Sequence, residues 1–541
     1  MVHRLRSRQR YLLTWLSRPG VIGPVTGGML LLAFPPLEWT PLAWVVLAPL
    51  LSLLEREGAP ARRRGACAWF GAGWGMGLVL YAGHYHWMFH AMVELAGVSL
   101  FRFLPFWLAM VAGFALGPAL ALSACAWARG RLGWALWWTA PLAFMAVDAV
   151  LLGFPFGGMP WGSWAATQPH TLAAAWIAPV LGGPGIVAVL VAVNAGWAAL
   201  VDSPARGRRA GMAGLAAALL AATLAVLTWP NQSPPDAPPD GRTLRVVLVP
   251  SNLPVPTPDE GPARLRHYLG RTLGVLGPGR ESRHTLGAGR MAGPRLVIWP
   301  ESASATDVSR GKTLVELHDV ATLIDADLLL GSDTRELGRD YNSLYIVEGG
   351  AFDFQRYDKR ELVPFGEYVP TLFRPPFGRK ATAGDEDYTP GDRPPVLTWR
   401  GYRLGVAICF ESTLPGHVAD AVRNGAQVLV VIANDAWLTP AARTHHLRLT
   451  ALRALEAGRD ALFVSNGGWT AHLSGGQVFR ATAAKGNPLT VDALLESGQS
   501  PWVRWGDVLP LLLAILALLV RLAVHGVALM GRQRSSRLPM G

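Results

Sequence analysis

The chain has 541 residues, 51% of them hydrophobic and 16% charged, and carries a formal net charge of +12. It is too long for one ordinary domain, and its apolar content excludes a purely soluble protein, so part of it lives in lipid. A basic chain also suggests a nucleic-acid partner, but the arginines flank apolar runs and alternate from loop to loop, which argues against one.

Apolar runs at 21–34 and 37–54 meet at Pro35-Pro36 and predict a tight helical hairpin. Further runs lie at 78–83 with the Ala/Gly/Trp-rich stretch before it, 104–128, 132–152, 172–201, 211–229 and 508–530, making eight spans. They approach the roughly 20 residues that cross a hydrocarbon core. Residues 1–10 are basic, but a multi-span array follows rather than one short apolar core with a cleavage site, so the chain is expected to stay anchored.

Arg4, Arg6, Arg8 and Arg10 precede the first span, and Arg62 to Arg64, Arg129 with Arg131, and Arg206 with Arg208 and Arg209 occupy every second loop. Arg532, Arg534 and Arg537 follow the last span. By the positive-inside rule both termini are cytoplasmic and the polar segment 231–507 is external.

The Pro-rich stretch 230–239 cannot continue a helix or join a sheet interior, so a domain boundary belongs there. The expected division is a transmembrane domain of about seven helices at 1–230, an external domain at 231–507, and a last helix with a basic cytoplasmic tail at 508–541. In the external domain, short β-branched-rich runs predict strands at 244–249, 295–299, 327–331, 343–347, 402–409, 427–433 and 461–465. Helical patterns at 311–326, 415–424 and 444–458 lie between several of them. This is an α/β order, with a sheet covered on both faces.

Cys67 and Cys125 fall within predicted spans as small apolar fillers, which leaves Cys409 alone outside the membrane. An unpaired cysteine in an oxidising compartment is either buried and inert or kept for its thiol. Cys409 ends a predicted strand, where an open α/β sheet meets its ligand crevice. Glu301 directly follows another strand, as a base or as a salt-bridged carboxylate. Lys359 is one of only four lysines, with Lys312, Lys380 and Lys485, and sits in an aromatic and Pro-rich loop. Together the three supply a general base, a thiolate nucleophile and a cation for an oxyanion, with the Phe410 amide as a second donor.

These segments resemble the nitrilase (carbon-nitrogen hydrolase) superfamily, and with the membrane half the chain resembles the bacterial apolipoprotein N-acyltransferase family. The likeness rests on Leu47 to Leu51, Gly153-Phe154-Pro155 before Trp161, Pro300-Glu301-Ser302, the loop from Lys359 to Pro370, Ile408-Cys409-Phe410-Glu411, Asn434-Asp435-Ala436-Trp437 and the stretch from Arg453 to Arg459. It implies a four-layer αββα sandwich beside a helical membrane domain, with Glu301, Lys359 and Cys409 as a catalytic triad. Glu367 would support the triad and Glu411 would lie beside the nucleophile. A membrane phospholipid would acylate Cys409, and the thioester would pass its acyl group to the amino terminus of a diacylglyceryl-cysteine apolipoprotein. The implied setting is the bacterial inner membrane, with neither metal nor cofactor.

The sequence departs from that family's pattern at Pro250-Ser251, at Phe410 in place of a tyrosine, at residues 438–442, and in having no tryptophan between Trp229 and Trp299. Phe365, Tyr368, Phe373, Phe377, Phe410 and Trp437 are candidates to line a lipid-facing site, each with core packing as the alternative. His84, His86 and His90 read as interfacial hydrogen-bonding groups, and His445-His446 as the opening of a helix. Two other readings stay open: an amidase or acyltransferase with a different acceptor using the same triad, and a silent lipid-binding scaffold. The irregular helix expected from Pro and Gly at 172–201 would help shape a lateral opening for acyl chains.

Overall fold

The computed structural model describes residues 18–56, 66–155, 157–202, 243–256, 260–276, 295–304, 307–309, 311–349, 354–371, 386–475, 477–483 and 485–506, with a few positions beyond 507. The expected span at 211–229, the Pro-rich linker, Phe373, Phe377 and most of the span at 508–530 lie outside the described residues.

Among the described residues, three helices are long and apolar enough to cross a bilayer: Leu100–Leu132, Leu136–Gly153 and Leu172–Val201. The helix Ala66–His84 packs against the first of these through Gly73 and Gly77. A β-carbon at either would run into backbone of Pro118, Ala119 or Ala115, so small residues bring the two helices together. The hairpin limb expected at 37–54 is not one helix. Pro41 opens a 3-10 turn at Thr40–Trp44, and only Ala48–Arg56 is α-helical. The backbone freed at this break is satisfied from the Leu172–Asp202 helix: Leu47 and Ala48 N–H donate to Asn194 Oδ1 at 2.8 and 3.0 Å, and Asn194 Nδ2 donates to the Ala43 carbonyl at 2.9 Å. Irregular backbone in lipid persists only where a buried partner of this kind exists.

Beyond residue 242 the chain folds into two six-stranded sheets. The first contains β1 (Thr243–Leu248), β2 (Leu296–Ile298), β3 (Asp327–Glu336), β4 (Arg339–Val347), β5 (Phe354–Asp358) and β12 (Leu489–Leu494), in the order β12-β1-β2-β3-β4-β5. The second contains β6 (Val396–Trp399), β7 (Tyr402–Ile408), β8 (Val428–Asn434), β9 (Ala461–Asn466), β10 (Trp469–Ser474) and β11 (Gln477–Ala483), in the order β11-β10-β9-β8-β7-β6. Each sheet has a parallel centre, β1-β2-β3 in one and β7-β8-β9 in the other.

The period of two along the strands assigns every side chain to a layer. Val246, Leu248, Ile298 and Leu329 face Val406, Ile408, Val430 and Ile432 between the sheets. Their neighbours Val247, Val297, Leu328 and Leu330 turn outward against Tyr268 and Leu317 of the helices Gly261–Leu276 and Gly311–Leu323. Ala407, Leu429 and Val431 likewise meet Val418, Leu447 and Ala451 of the helices Pro415–Arg423 and Pro440–Ala457. The result is an αββα sandwich in which each fully buried aliphatic side chain contributes about 1.5–3 kcal/mol. The expected strands appear, most with small shifts at their ends, but those expected at 327–331 and 343–347 extend to Asp327–Glu336 and Arg339–Val347. β5, β6 and the three strands after residue 468 are additional, and of these β5 (Phe-Gln-Arg-Tyr-Asp) is polar enough to hide its strand character.

The two halves touch directly. Leu449, Leu452 and Leu455 of the Pro440–Ala457 helix share one apolar cluster with Ala174, Ala178, Ile186 and Leu190 of the membrane helix Leu172–Asp202. That membrane helix kinks at Gly182 (φ 64°, ψ −165°), as its Pro and Gly content predicts. The freed Gly183 N–H donates to Glu456 Oε1 of the sandwich at 2.7 Å, and Arg453 pairs with the same oxygen at 2.9 Å.

Candidate active site

Glu301 and Cys409 stand just beyond the C-terminal ends of the parallel strands β2 and β7, and Lys359 directly follows β5. Crossed parallel strands leave their carboxyl ends open to a crevice, so residues distant in sequence converge there. All three line one cavity of about 970 Å³ together with Glu367, Asn342, Asn434 and Phe410.

Lys359 is almost fully buried, with Nζ 2.9 Å from Glu367 Oε1 and 3.6 Å from Glu301 Oε1. Asn342 Nδ2 donates to both carboxylates, at 2.7 Å to Glu301 Oε1 and 3.0 Å to Glu367 Oε1. Glu301 Oε2 accepts the Asn434 backbone N–H at 2.7 Å, and Glu367 Oε2 accepts the Val363 N–H at 2.8 Å. Both carboxylates are therefore fixed by donors other than the lysine.

Burial acts to lower the Lys359 pKa, but Glu367, Glu301 and Cys409 outweigh it and hold the ammonium above its ordinary value. Burial pushes the Glu301 carboxyl up, with Lys359 opposing and Glu367 adding, and the net position is above the usual carboxylate range. Burial also raises the Cys409 thiol well above its ordinary value, with Glu301 adding and Lys359 opposing. The thiol is thus protonated at rest and needs a base to become a nucleophile.

Three non-glycine residues around this cluster have positive φ: Ser302 at 53°, Phe365 at 62° and Cys409 at 54°. Left-handed backbone at such residues costs about 1–3 kcal/mol each and persists only where surroundings enforce it. At Cys409 one enforcing group is Glu411, which is fully buried. Its Oε2 accepts the Ile408 N–H at 2.8 Å, and its Oε1 accepts Tyr357 Oη at 2.8 Å, Arg360 N–H at 2.7 Å and Glu361 N–H at 3.1 Å. This one carboxylate ties the end of β7 to the loop that carries Lys359.

Phe365, Phe410 and Trp437 line the cavity, whereas Tyr368 is absent from the described lining; its carbonyl accepts the Phe365 N–H at 2.7 Å. Phe365 packs against Phe106 of the membrane helix Leu100–Leu132, with ring centroids 4.2 Å apart and the rings tilted by 55°. From the cluster the cavity continues between membrane elements past Trp87, Met92, Met110, Phe114 and Leu151. Its other end is polar, with Asp333, Arg335 and Asp340.

Sequence reasoning passed over Asn342, whose signal was a polar residue beside a buried apolar run. It also misjudged His445 and His446. The helix starts at Pro440, where proline suits the first helical turn, so both histidines fall inside it and are buried. His84 likewise departs from the interfacial reading: it is buried, with Nε2 3.2 Å from His445 Nε2. His86 and His90 remain outside, bonded to the Gly83 carbonyl and to Glu94 at 2.6 Å each.

Residues 26–196 match the model described as the apolipoprotein N-acyltransferase N-terminal domain, and residues 281–485 match that of carbon-nitrogen hydrolase. A CN-hydrolase superfamily protein of Xanthomonas campestris aligns at 21% identity with a TM-score of 0.35, covering 47% of this chain and 91% of its own. An apolipoprotein N-acyltransferase of Methylococcus capsulatus is 30% identical over 89% of this chain and 92% of its own. Another, of Gloeobacter violaceus, is 30% identical over 95% of this chain and 96% of its own. Likeness that runs through the membrane helices and the sandwich alike makes this chain a member of the apolipoprotein N-acyltransferase family.

Proposed function

We propose that the chain transfers a fatty acyl group from a membrane phospholipid, through a thioester on Cys409, to the amino terminus of diacylglyceryl-cysteine in apolipoproteins. The observation that carries this reading is the single cavity that joins Glu301, Lys359 and Cys409 to an apolar passage between membrane helices. A soluble amidase has no use for such a passage.

In the first half-reaction Glu301 takes the Cys409 proton and the thiolate attacks an ester carbonyl of the phospholipid. The oxyanion forms against Lys359 Nζ and the Phe410 N–H. The C–O bond then breaks, and the lysophospholipid alkoxide receives the proton held by Glu301. In the second, the amine attacks the thioester carbonyl and loses a proton to Glu301. The C–S bond breaks, and the thiolate recovers that proton as the amide leaves. A water-poor, lipid-lined cavity favours the amine over hydrolysis.

The eight spans, the inner membrane and the external position of the sandwich belong to the same proposal. Contacts with the sandwich support it. Glu38 in the turn after the helix Pro19–Leu31 pairs with Arg448 at 2.9 Å, while Arg129, in the last turn of the helix Leu100–Leu132, pairs with Glu55 of the helix Ala48–Arg56 at 3.2 Å.

The direct test is mass spectrometry of purified protein incubated with phospholipid and then with a diacylglyceryl-cysteine peptide. The expected result is an acyl adduct on Cys409 that vanishes as the peptide gains an amide-linked chain, with neither event in Cys409→Ala. An adduct without peptide modification would mean a different acceptor, and no adduct would favour a scaffold.

A further inference from the structure

We infer that His446, backed by Asp435 and joined by Ser412, is a positioning residue that aims the Phe410 N–H at the developing oxyanion by gripping the Cys409 carbonyl. This rests on the proposed acyl transfer and assigns a role to residues outside the triad.

Cys409 O lies 2.9 Å from Ser412 Oγ, which donates to it, and 3.2 Å from His446 Nε2. His446 Nδ1 lies 2.8 Å from Asp435 Oδ1. A carboxylate only accepts, so Nδ1 carries a proton. The grip requires Nε2 to donate too, so that the ring gives one hydrogen bond to Asp435 and one to Cys409 O. Asp435 is fully buried and His446 nearly so.

The ring has little freedom to turn. Phe463 meets it edge-on at 5.1 Å and Trp161, from the membrane half, lies 6.1 Å away. Ser412 Oγ is 3.0 Å from His446 Nε2 and 2.9 Å from Thr450 Oγ1, and Thr450 in turn donates to the His446 carbonyl at 3.1 Å.

In a trans peptide the carbonyl and the next N–H point in opposite directions. A carbonyl of Cys409 held on the His446 side therefore turns the Phe410 N–H to the other side of the plane. Phe410 is the second residue of the short turn Cys409–Thr413, whose first N–H groups have no partner within the turn, and like His446 it lines the cavity. Cys409 at φ 54° gains little from its own backbone preference, so the orientation of this peptide depends on the grip.

Two reactions of the same thiol separate this role from a structural one. Acylation builds an oxyanion, whereas alkylation by iodoacetamide at carbon builds none. In full-length His446→Leu, acylation of Cys409 by phospholipid is expected to slow about 100-fold or more, as loss of an oxyanion donor does. Alkylation should stay within about twofold of the parent, and the KM for phospholipid should barely move. Gln keeps a donor near the Nε2 position, so His446→Gln should recover at least tenfold of the loss. Unchanged acylation in His446→Leu, or an equal loss of alkylation, overturns the inference.

Running p-nitrophenyl butyrate in parallel keeps the two claims apart. If the parent is acylated by this ester but not by phospholipid, the donor assignment fails while the ester still reads the grip.

Discussion

At the residue scale, three charged groups and one thiol share a buried space, and their order of effects decides the chemistry. Desolvation dominates at Glu301 and at Cys409 and raises both, which keeps the thiol protonated and brings the carboxyl closer to working pH. The sign for activity follows directly. In the proposed reaction Glu301 acts as base only when ionised, so the rate of Cys409 acylation is expected to fall as pH drops through its raised pKa. The acid limb of that rate, followed by single-turnover mass spectrometry, is expected above the ordinary glutamate range. Glu301→Gln should reduce acylation by about 10²–10⁴-fold above that limb, with the gap narrowing as pH falls through it. A limb that persists unchanged in Glu301→Gln would assign the titration to another group.

At the element scale, backbone irregularity is placed where a partner exists to absorb it. The break at residues 43–48 is held by Asn194, and the kink at Gly182 by Glu456. Gly182 has a φ/ψ pair that only glycine adopts with ease, and a β-carbon there would meet Trp502 Nε1 at 2.5 Å. Gly182→Ala therefore combines backbone strain with a clash at the junction of the two halves. It is expected to destabilise the protein by at least about 1–3 kcal/mol, read as a lower Tm in detergent. An unchanged Tm would mean that the helix repacks without the kink.

At the scale of the whole molecule, the sandwich and the membrane helices build one chamber rather than two adjoining ones. Neither half alone encloses the path from Cys409 to Leu151. Orientation in the membrane is open to a simple check. Leu337 is almost fully exposed in the turn between β3 and β4. With Cys67→Ser and Cys409→Ala as background, Leu337→Cys should react with a membrane-impermeant maleimide in intact spheroplasts. Labelling only after lysis would put the sandwich in the cytoplasm and sink the external topology.

Much of this was written locally. The short β-branched apolar run at Val428–Asn434, the apolar length of Leu100–Leu132 and the Pro-Gly content of Leu172–Asp202 each lie within a short window, and windows of that size determine strand, span and kink. The residue types at 301 and 409 were legible for the same reason, because each follows or ends a recognisable strand, whereas Lys359 follows a strand too polar to read and stood out as one of only four lysines. Tertiary structure alone decided what meets. Asn342 reaches both Glu301 and Glu367, Glu411 reaches across from β7 to residues 360 and 361, and His446 reaches back to the Cys409 carbonyl. These contacts span tens of residues and depend on strand order and helix start, which no local pattern encodes. The Leu37–Leu54 limb was misread for a related reason: its apolar run is continuous, but its backbone is broken and rests on an asparagine more than a hundred residues away.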